Sequence, residues 1–121
     1  MRSIFLAALL ALVCLAGCDS PGVKGPPPPA PAKKQLVYVG SKACAYCLKM
    51  QVNTLGNAKV KEEISANYVF IDASGKDGAK RYSVTVYPTY ILMNSDGTEI
   101  KRGVGYRGPE EFLAWLNQAP K

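Results

Sequence analysis

No histidine occurs anywhere in the 121 residues. Its absence removes the commonest general base and a common metal ligand. A Cys–His nucleophile pair and a His–Cys zinc site are therefore excluded within the chain. Cysteine is scarce, with only Cys14, Cys18, Cys44 and Cys47. Charge of one sign never accumulates: Lys33-Lys34, Lys80-Arg81 and Lys101-Arg102 are doublets, and Lys59 and Lys61 flank a valine. The net charge of +6 is thus spread out. It suits a solvated surface near an anionic membrane rather than a nucleic-acid face, which needs clustered cations with interleaved aromatics. The longest apolar run, Ile4 to Val13, falls well short of the ~20 residues needed to cross a bilayer. From Asp19 to Lys34 nothing apolar is large enough to build a core. What remains suffices for one small domain.

The N-terminus reads as an address. Met1-Arg2 supplies a short positive start, the apolar run follows, and Leu15-Ala16-Gly17-Cys18 closes it, in the pattern of a secretory signal. Leu-Ala-Gly-Cys resembles the lipobox of bacterial lipoproteins. That resemblance implies cleavage after residue 17, a diacylglyceryl thioether on Cys18, and loss of Cys14 with the signal. Two acyl chains anchor a protein stably where one is marginal. Asp19 directly after Cys18 resembles the signal that keeps Gram-negative lipoproteins on the inner membrane. The expected location is its periplasmic face, or the extracytoplasmic membrane face in a cell without an outer membrane. Residues 18–34 then form the lipidated N-terminus and a tether. Pro26-Pro27-Pro28-Pro29-Ala30-Pro31 favours extended polyproline II, which would lift the domain on the order of 40–50 Å from the lipid.

The folded domain is expected over 35–121. Leu36 to Val39 reads as a buried strand and Gly40 to Ala43 as a loop. From Cys44 a helix is expected, with Leu48, Val52 and Leu55 turned inward at i, i+4 and i+7, ending near Gly56. A second helix covers Ala58 to Ala66 with Val60 and Ile64 inward. Tyr68 to Ile71 reads as a second buried strand, Asp77 to Tyr82 as a short helix, and Thr89 to Met93 as a third strand. Asn94-Ser95-Asp96-Gly97 is a turn, after which Thr98 to Arg102 returns antiparallel. Pro109, Glu110 and Glu111 open a last helix whose stripe is Phe112, Trp115 and Leu116. The order implies an α/β sandwich around a mixed four-stranded sheet.

Cys44-Ala45-Tyr46-Cys47 lies where a strand gives way to a helix. A C-x-x-C can also be half a zinc ribbon, but the mature domain has no further cysteine and no histidine, so no metal site is expected. A passive bridge closing so short a loop would constrain the unfolded chain little. The helix start favours redox chemistry instead, because unpaired N–H groups and the positive end of the macrodipole favour a thiolate there. Cys44 is the candidate attacking sulfur and Cys47, one turn in, the candidate resolving thiol. Val84-Thr85-Val86-Tyr87-Pro88-Thr89 adds a proline immediately before a buried strand, where a cis bond is expected.

Taken together, Leu36 to Leu116 resembles the thioredoxin superfamily: strand, C-x-x-C helix, strand, helix, cis-Pro strand, hairpin and final helix. Tyr87-Pro88-Thr89 resembles the cis-proline signature. Gly103-Val104-Gly105-Tyr106 with Pro109 to Leu116 resembles the closing strand, glycine and helix. The chain is similar to small exported bacterial thioredoxin-like proteins. The resemblance implies a three-layer thioredoxin-like sandwich whose cofactor is nothing beyond the Cys44–Cys47 disulfide. It implies that Tyr87, Pro88 and Thr89, with Ala45 and Tyr46 between the cysteines, receive a client backbone as an added strand. Two departures stand out. The buried acid that assists proton transfer in thioredoxins aligns with Tyr38, and its lysine neighbour aligns near Tyr68.

The expected function is thiol–disulfide exchange on client proteins, on the reducing or isomerising side, fed by a membrane electron donor and carried out by a monomer. The rival reading is a binding or chaperone lipoprotein that uses the Tyr87-Pro88 groove without catalysis. Copper delivery through two thiolates is a third reading, disfavoured by the missing methionine-and-histidine cluster.

Overall fold

The computed structural model describes residues 32–118. The signal segment, Cys18 and the proline run lie outside the described residues. Four strands form one mixed sheet in the order β2-β1-β3-β4, with β1 Lys34–Val39, β2 Tyr68–Asp72, β3 Thr89–Met93 and β4 Glu99–Val104. β1 begins one residue ahead of the boundary expected at Gln35. It pairs parallel with β2 and antiparallel with β3, and β3 pairs antiparallel with β4. The helices are α1 Ala45–Lys49, α2 Ala58–Asn67, α3 Lys76–Arg81 and α4 Pro109–Asn117, and α1 runs on into a π-helical segment, Met50–Leu55. This is the expected α/β sandwich on a mixed four-stranded sheet.

Alternation along the central strands sorts side chains onto two faces. Leu36, Tyr38, Tyr90 and Leu92 join Met50, Val60, Ile64, Phe112, Trp115 and Leu116 in one core. Val37, Val39 and Ile91 join Ala79 and Val84 in the other. In the first core Tyr90 stands edge-on to both Phe112 and Trp115, with ring centroids 5.2 and 4.7 Å apart. Such pairs each contribute about 0.5–1.5 kcal/mol beyond the burial of their area. Lys101 covers this end of the core: its ammonium lies 4.7 Å from the centre of the Trp115 ring and donates to the carbonyls of Trp115 and Gln118 at the close of α4.

Two expectations need correction. Leu48 and Val52 do not face inward; they are 63% and 64% exposed, and only Leu55 packs against the core. The buried positions of this helix are Cys47, Met50 and Thr54, spaced three and four apart. The inward stripe is thus displaced from 48, 52 and 55 by one or two residues toward the N-terminus, as α winding passes into π winding. Thr54 is the polar member of the true stripe, and its hydroxyl donates to the Arg107 carbonyl at 2.5 Å, tying the helix to the approach of α4. β2 is the second correction. As an edge strand with one neighbour in the sheet it leaves Val69 and Phe70 exposed, despite an apolar sequence that reads as fully buried.

Candidate active site

Antiparallel pairing sets Val39 opposite Thr89, so the end of β1 and the start of β3 lie at the same end of the sheet. The chain leaving β1 carries the two cysteines, and the chain entering β3 carries Pro88. Topology therefore gathers both motifs at one end of the domain.

Cys44 is the N-cap of α1. Its backbone is extended (φ −116°, ψ 111°), and its Sγ accepts the backbone N–H of Cys47 at 3.1 Å. Its carbonyl takes the N–H of Leu48 at 3.2 Å. A thiol thus occupies the place that Ser or Asp fills at most helix starts. Both cysteines are free thiols, Cys44 partly exposed and Cys47 buried. Ala45 and Tyr46, between them, face solvent. Burial pushes the Cys47 thiol above its ordinary value, and the Cys44 sulfur adds to this; a backbone hydrogen bond at Ser41 and the Tyr38 hydroxyl pull it back down.

The Tyr87–Pro88 peptide is cis. The Pro88 carbonyl accepts the Gly105 N–H at 2.8 Å, and the Thr89 hydroxyl donates to the Val86 carbonyl at 2.6 Å. Gly105 has φ +86°, a left-handed conformation that a side chain would disfavour. The turn after β4 is thus tied to the proline loop. Pro88 and Thr89 are buried, whereas Tyr87 is half-buried and packs on the smaller core.

The β2–α3 loop completes the site, and the sequence reading did not reach it. Asp72 accepts the backbone N–H of Ser74 at 3.0 Å and its hydroxyl at 2.6 Å, while that hydroxyl accepts the Gly40 N–H at 3.0 Å. The spacing Asp72-x-Ser74, an Asx-type turn, was the available signal. A cavity of about 420 Å³ beside Cys44 is lined by Lys42, Leu48, Gln51, Asp72 and Ser74 among others. A second, of about 320 Å³, shares Ser41, Lys42 and Ser74 with it and reaches Tyr87. Cys44 and Tyr87 therefore line two neighbouring cavities that share the walls formed by the loops after β1 and β2. A larger cavity of about 670 Å³ between the starts of α2 and α4 contains neither cysteine nor any residue of the proline loop, and we assign it no chemistry.

A free thiol capping a helix, a buried thiol one turn further in and a cis-proline loop at the same end of the sheet define a protein of the thioredoxin class. The chain belongs to the family described as the thioredoxin-like domain, whose profile matches residues 29–120. Among solved structures it is similar to a thioredoxin from Thermus thermophilus, at 30% identity, covering 71% of this chain and 72% of that one with a TM-score of 0.62. It also shares the fold of the C-terminal domain of Neisseria meningitidis DsbD in the oxidised form, at 21% identity, covering 71% and 79% of the two chains with a TM-score of 0.58. The oxidoreductase DsbH shares it too, at 16% identity, with 70% of each chain covered and a TM-score of 0.61. Comparison with curated proteins finds no match.

Proposed function

We propose that this protein is a lipid-anchored, extracytoplasmic thiol–disulfide oxidoreductase that reduces or isomerises client disulfides. The observation that carries the reading is the asymmetry of the cysteine pair: a partly exposed Cys44 sulfur receives the Cys47 N–H, and Cys47 is shut in behind it. That N–H orients the Cys44 sulfur at the start of the helix, with the second sulfur enclosed behind it. Kinship with the Thermus thioredoxin and the shared fold of DsbH and the DsbD domain support the same class.

In the reaction, the Cys44 thiolate attacks one sulfur of a client disulfide, and the other client sulfur leaves as a thiolate. Cys47 gives up its proton and attacks Cys44 Sγ, forming the Cys44–Cys47 disulfide. The first client sulfur is released and takes up a proton. Two electrons have passed to the client, and a membrane donor dithiol restores the pair. The adjoining cavities at Cys44 and at Tyr87 receive the client chain, with the exposed Tyr46 and Leu48 offering apolar surface beside the nucleophile. The anchor is Cys18, and the tether carries the domain away from the lipid.

Cys44→Ser should abolish exchange with protein disulfides, and Cys47→Ser should accumulate mixed disulfides on gels. Full activity in both variants would end the proposal, and a Cys-free variant that still supported its clients would point to a binding protein instead. Direction follows from the reduction potential. A value near −270 mV, roughly that of thioredoxin, marks a reductase, and one near roughly −120 mV marks an oxidant. Cys18→Ala should move the protein from membranes to the soluble fraction.

A further inference from the structure

Tyr38 is a buried phenol inside the polar machinery of the site, and the exchange steps above make no use of it. Its ring belongs to the larger core, 1% exposed, and its hydroxyl donates to the Cys47 carbonyl at 3.2 Å. That carbonyl lies just before the point where α winding gives way to π winding. Departures of this kind concentrate at functional sites. Two residues on, just past β1, Gly40 makes the arrangement possible, because a Cβ there would stand 2.8 Å from the Tyr38 hydroxyl oxygen and 3.0 Å from Cε1 of its ring. The chain thus leaves a side chain out so that a phenol can lie under the second cysteine.

The titratable groups facing this hydroxyl are Cys47 and Cys44 from the start of α1 and Asp72 from β2. Burial acts first to keep the phenol protonated, and all three neighbours, which carry or can acquire negative charge, act in the same direction. Together they hold the phenol proton on well above the ordinary tyrosine range. Tyr38 is therefore a donor throughout physiological pH and never a base. A phenol O–H turns about its C–O bond at little cost, and the Tyr38 hydroxyl also acts on the Cys47 sulfur, lowering its hold on the proton.

We infer that Tyr38 is a positioning residue for the resolving step: its hydroxyl donates to the Cys47 carbonyl in the resting dithiol and to Cys47 Sγ as that sulfur becomes a thiolate. No proton leaves the phenol. The Cys47 proton passes to solvent, the Cys47 thiolate attacks Cys44 Sγ, the intramolecular disulfide forms, and the departing client thiolate takes up a proton. Tyr38 stabilises the buried charge during the interval between these events. Hydrogen bonds to a charged group are stronger than those between neutral groups, and an apolar pocket strengthens them further.

This inference rests on the proposed exchange chemistry, and the two can fail separately. In the full-length chain, Tyr38→Phe removes one oxygen and keeps the ring. Resolution of a preformed mixed disulfide on Cys44 should slow about tenfold at neutral pH and recover as pH is raised, while the first attack by Cys44 keeps its rate. In a Cys44→Ser background, alkylation of Cys47 by iodoacetamide should move to higher pH when Tyr38 is also Phe. A purely structural tyrosine would lower the melting temperature and leave both the alkylation profile and the resolution rate where they were, and that result overturns the inference. If Tyr38→Phe does not fold, Gly40→Ala displaces the hydroxyl instead, and an unmoved Cys47 profile in that variant overturns it equally. Retained exchange in Cys44→Ser alone would sink the proposed function while leaving the Cys47 alkylation result standing.

Discussion

The face of the sheet carrying α1, α2 and α4 is filled by Tyr38, Tyr90, Phe112 and Trp115, whereas the face on which α3 lies holds Val37, Val39, Ala79, Val84 and Ile91. The candidate site straddles the two. Cys47 and its phenol partner rest on the aromatic face, and Tyr87 packs on the aliphatic one. The difference suggests a division of labour. The heavy face fixes the nucleophilic pair to a rigid body, and the light face carries the wall of the cleft that a client must press against. A smaller core opens at lower cost, so adaptability belongs on the Tyr87 side.

The comparison can be broken by substitution. Phe112→Ala removes the centre of the aromatic cluster and should cost about 3–5 kcal/mol in denaturant unfolding; a loss comparable to that from the light face would refute the division. Alkaline titration should come next. Tyr38, Tyr68 and Tyr90 all belong to or pack against the heavy face, and burial raises each above the ordinary 10.0, as it raises Cys47 above 9.0. Groups raised in the folded state contribute stability that is fully present below their unfolded values and is lost as pH climbs toward the folded ones. Stability of the reduced protein should therefore hold up to about pH 9 and fall above it, as followed by melting temperature against pH. A flat profile to pH 11 would contradict that. On the light face, Val84→Ala should cost about 1.5 kcal/mol. It should also raise hydrogen exchange around Tyr87 before it affects α1. Smallest of all, Val52→Lys should change stability by no more than about 0.5 kcal/mol. A cost of several kcal/mol would restore the inward phase that the helical periodicity implied.

That last case marks how far sequence could be read. Element order, the burial of β1 and the pairing of the cysteines with the proline were all legible, because apolar runs and turn chemistry are local properties. The helix after Cys44 was not. Leu48, Val52 and Leu55 and the true stripe Cys47, Met50 and Thr54 are both compatible with helical spacing. The set containing a cysteine and a threonine is the less apolar of the two, and only the tertiary partner of Thr54, the Arg107 carbonyl, decides between them. β2 misled for the opposite reason: an edge position is set by topology and leaves no mark on a four-residue apolar run. Within the site, Cys44, Cys47 and Pro88 stood out as motifs. The closing of the cleft by Asp72 and Ser74 depends on a loop meeting Gly40 across more than thirty positions, a non-local hydrogen bond that no spacing rule anticipates.

The sheet order has a consequence for the life of the chain before it is folded. β1 is the first strand to leave the ribosome and lies between β2 and β3, both made after it. The antiparallel half of its pairing cannot begin until Thr89–Met93 has been synthesised. Until β1 and β3 have met, Cys47 lies in a chain with no completed sheet to shelter it. Before that the second sulfur lacks the burial that sets it apart from the first, so the order of attack and resolution is completed only when the last central strand closes.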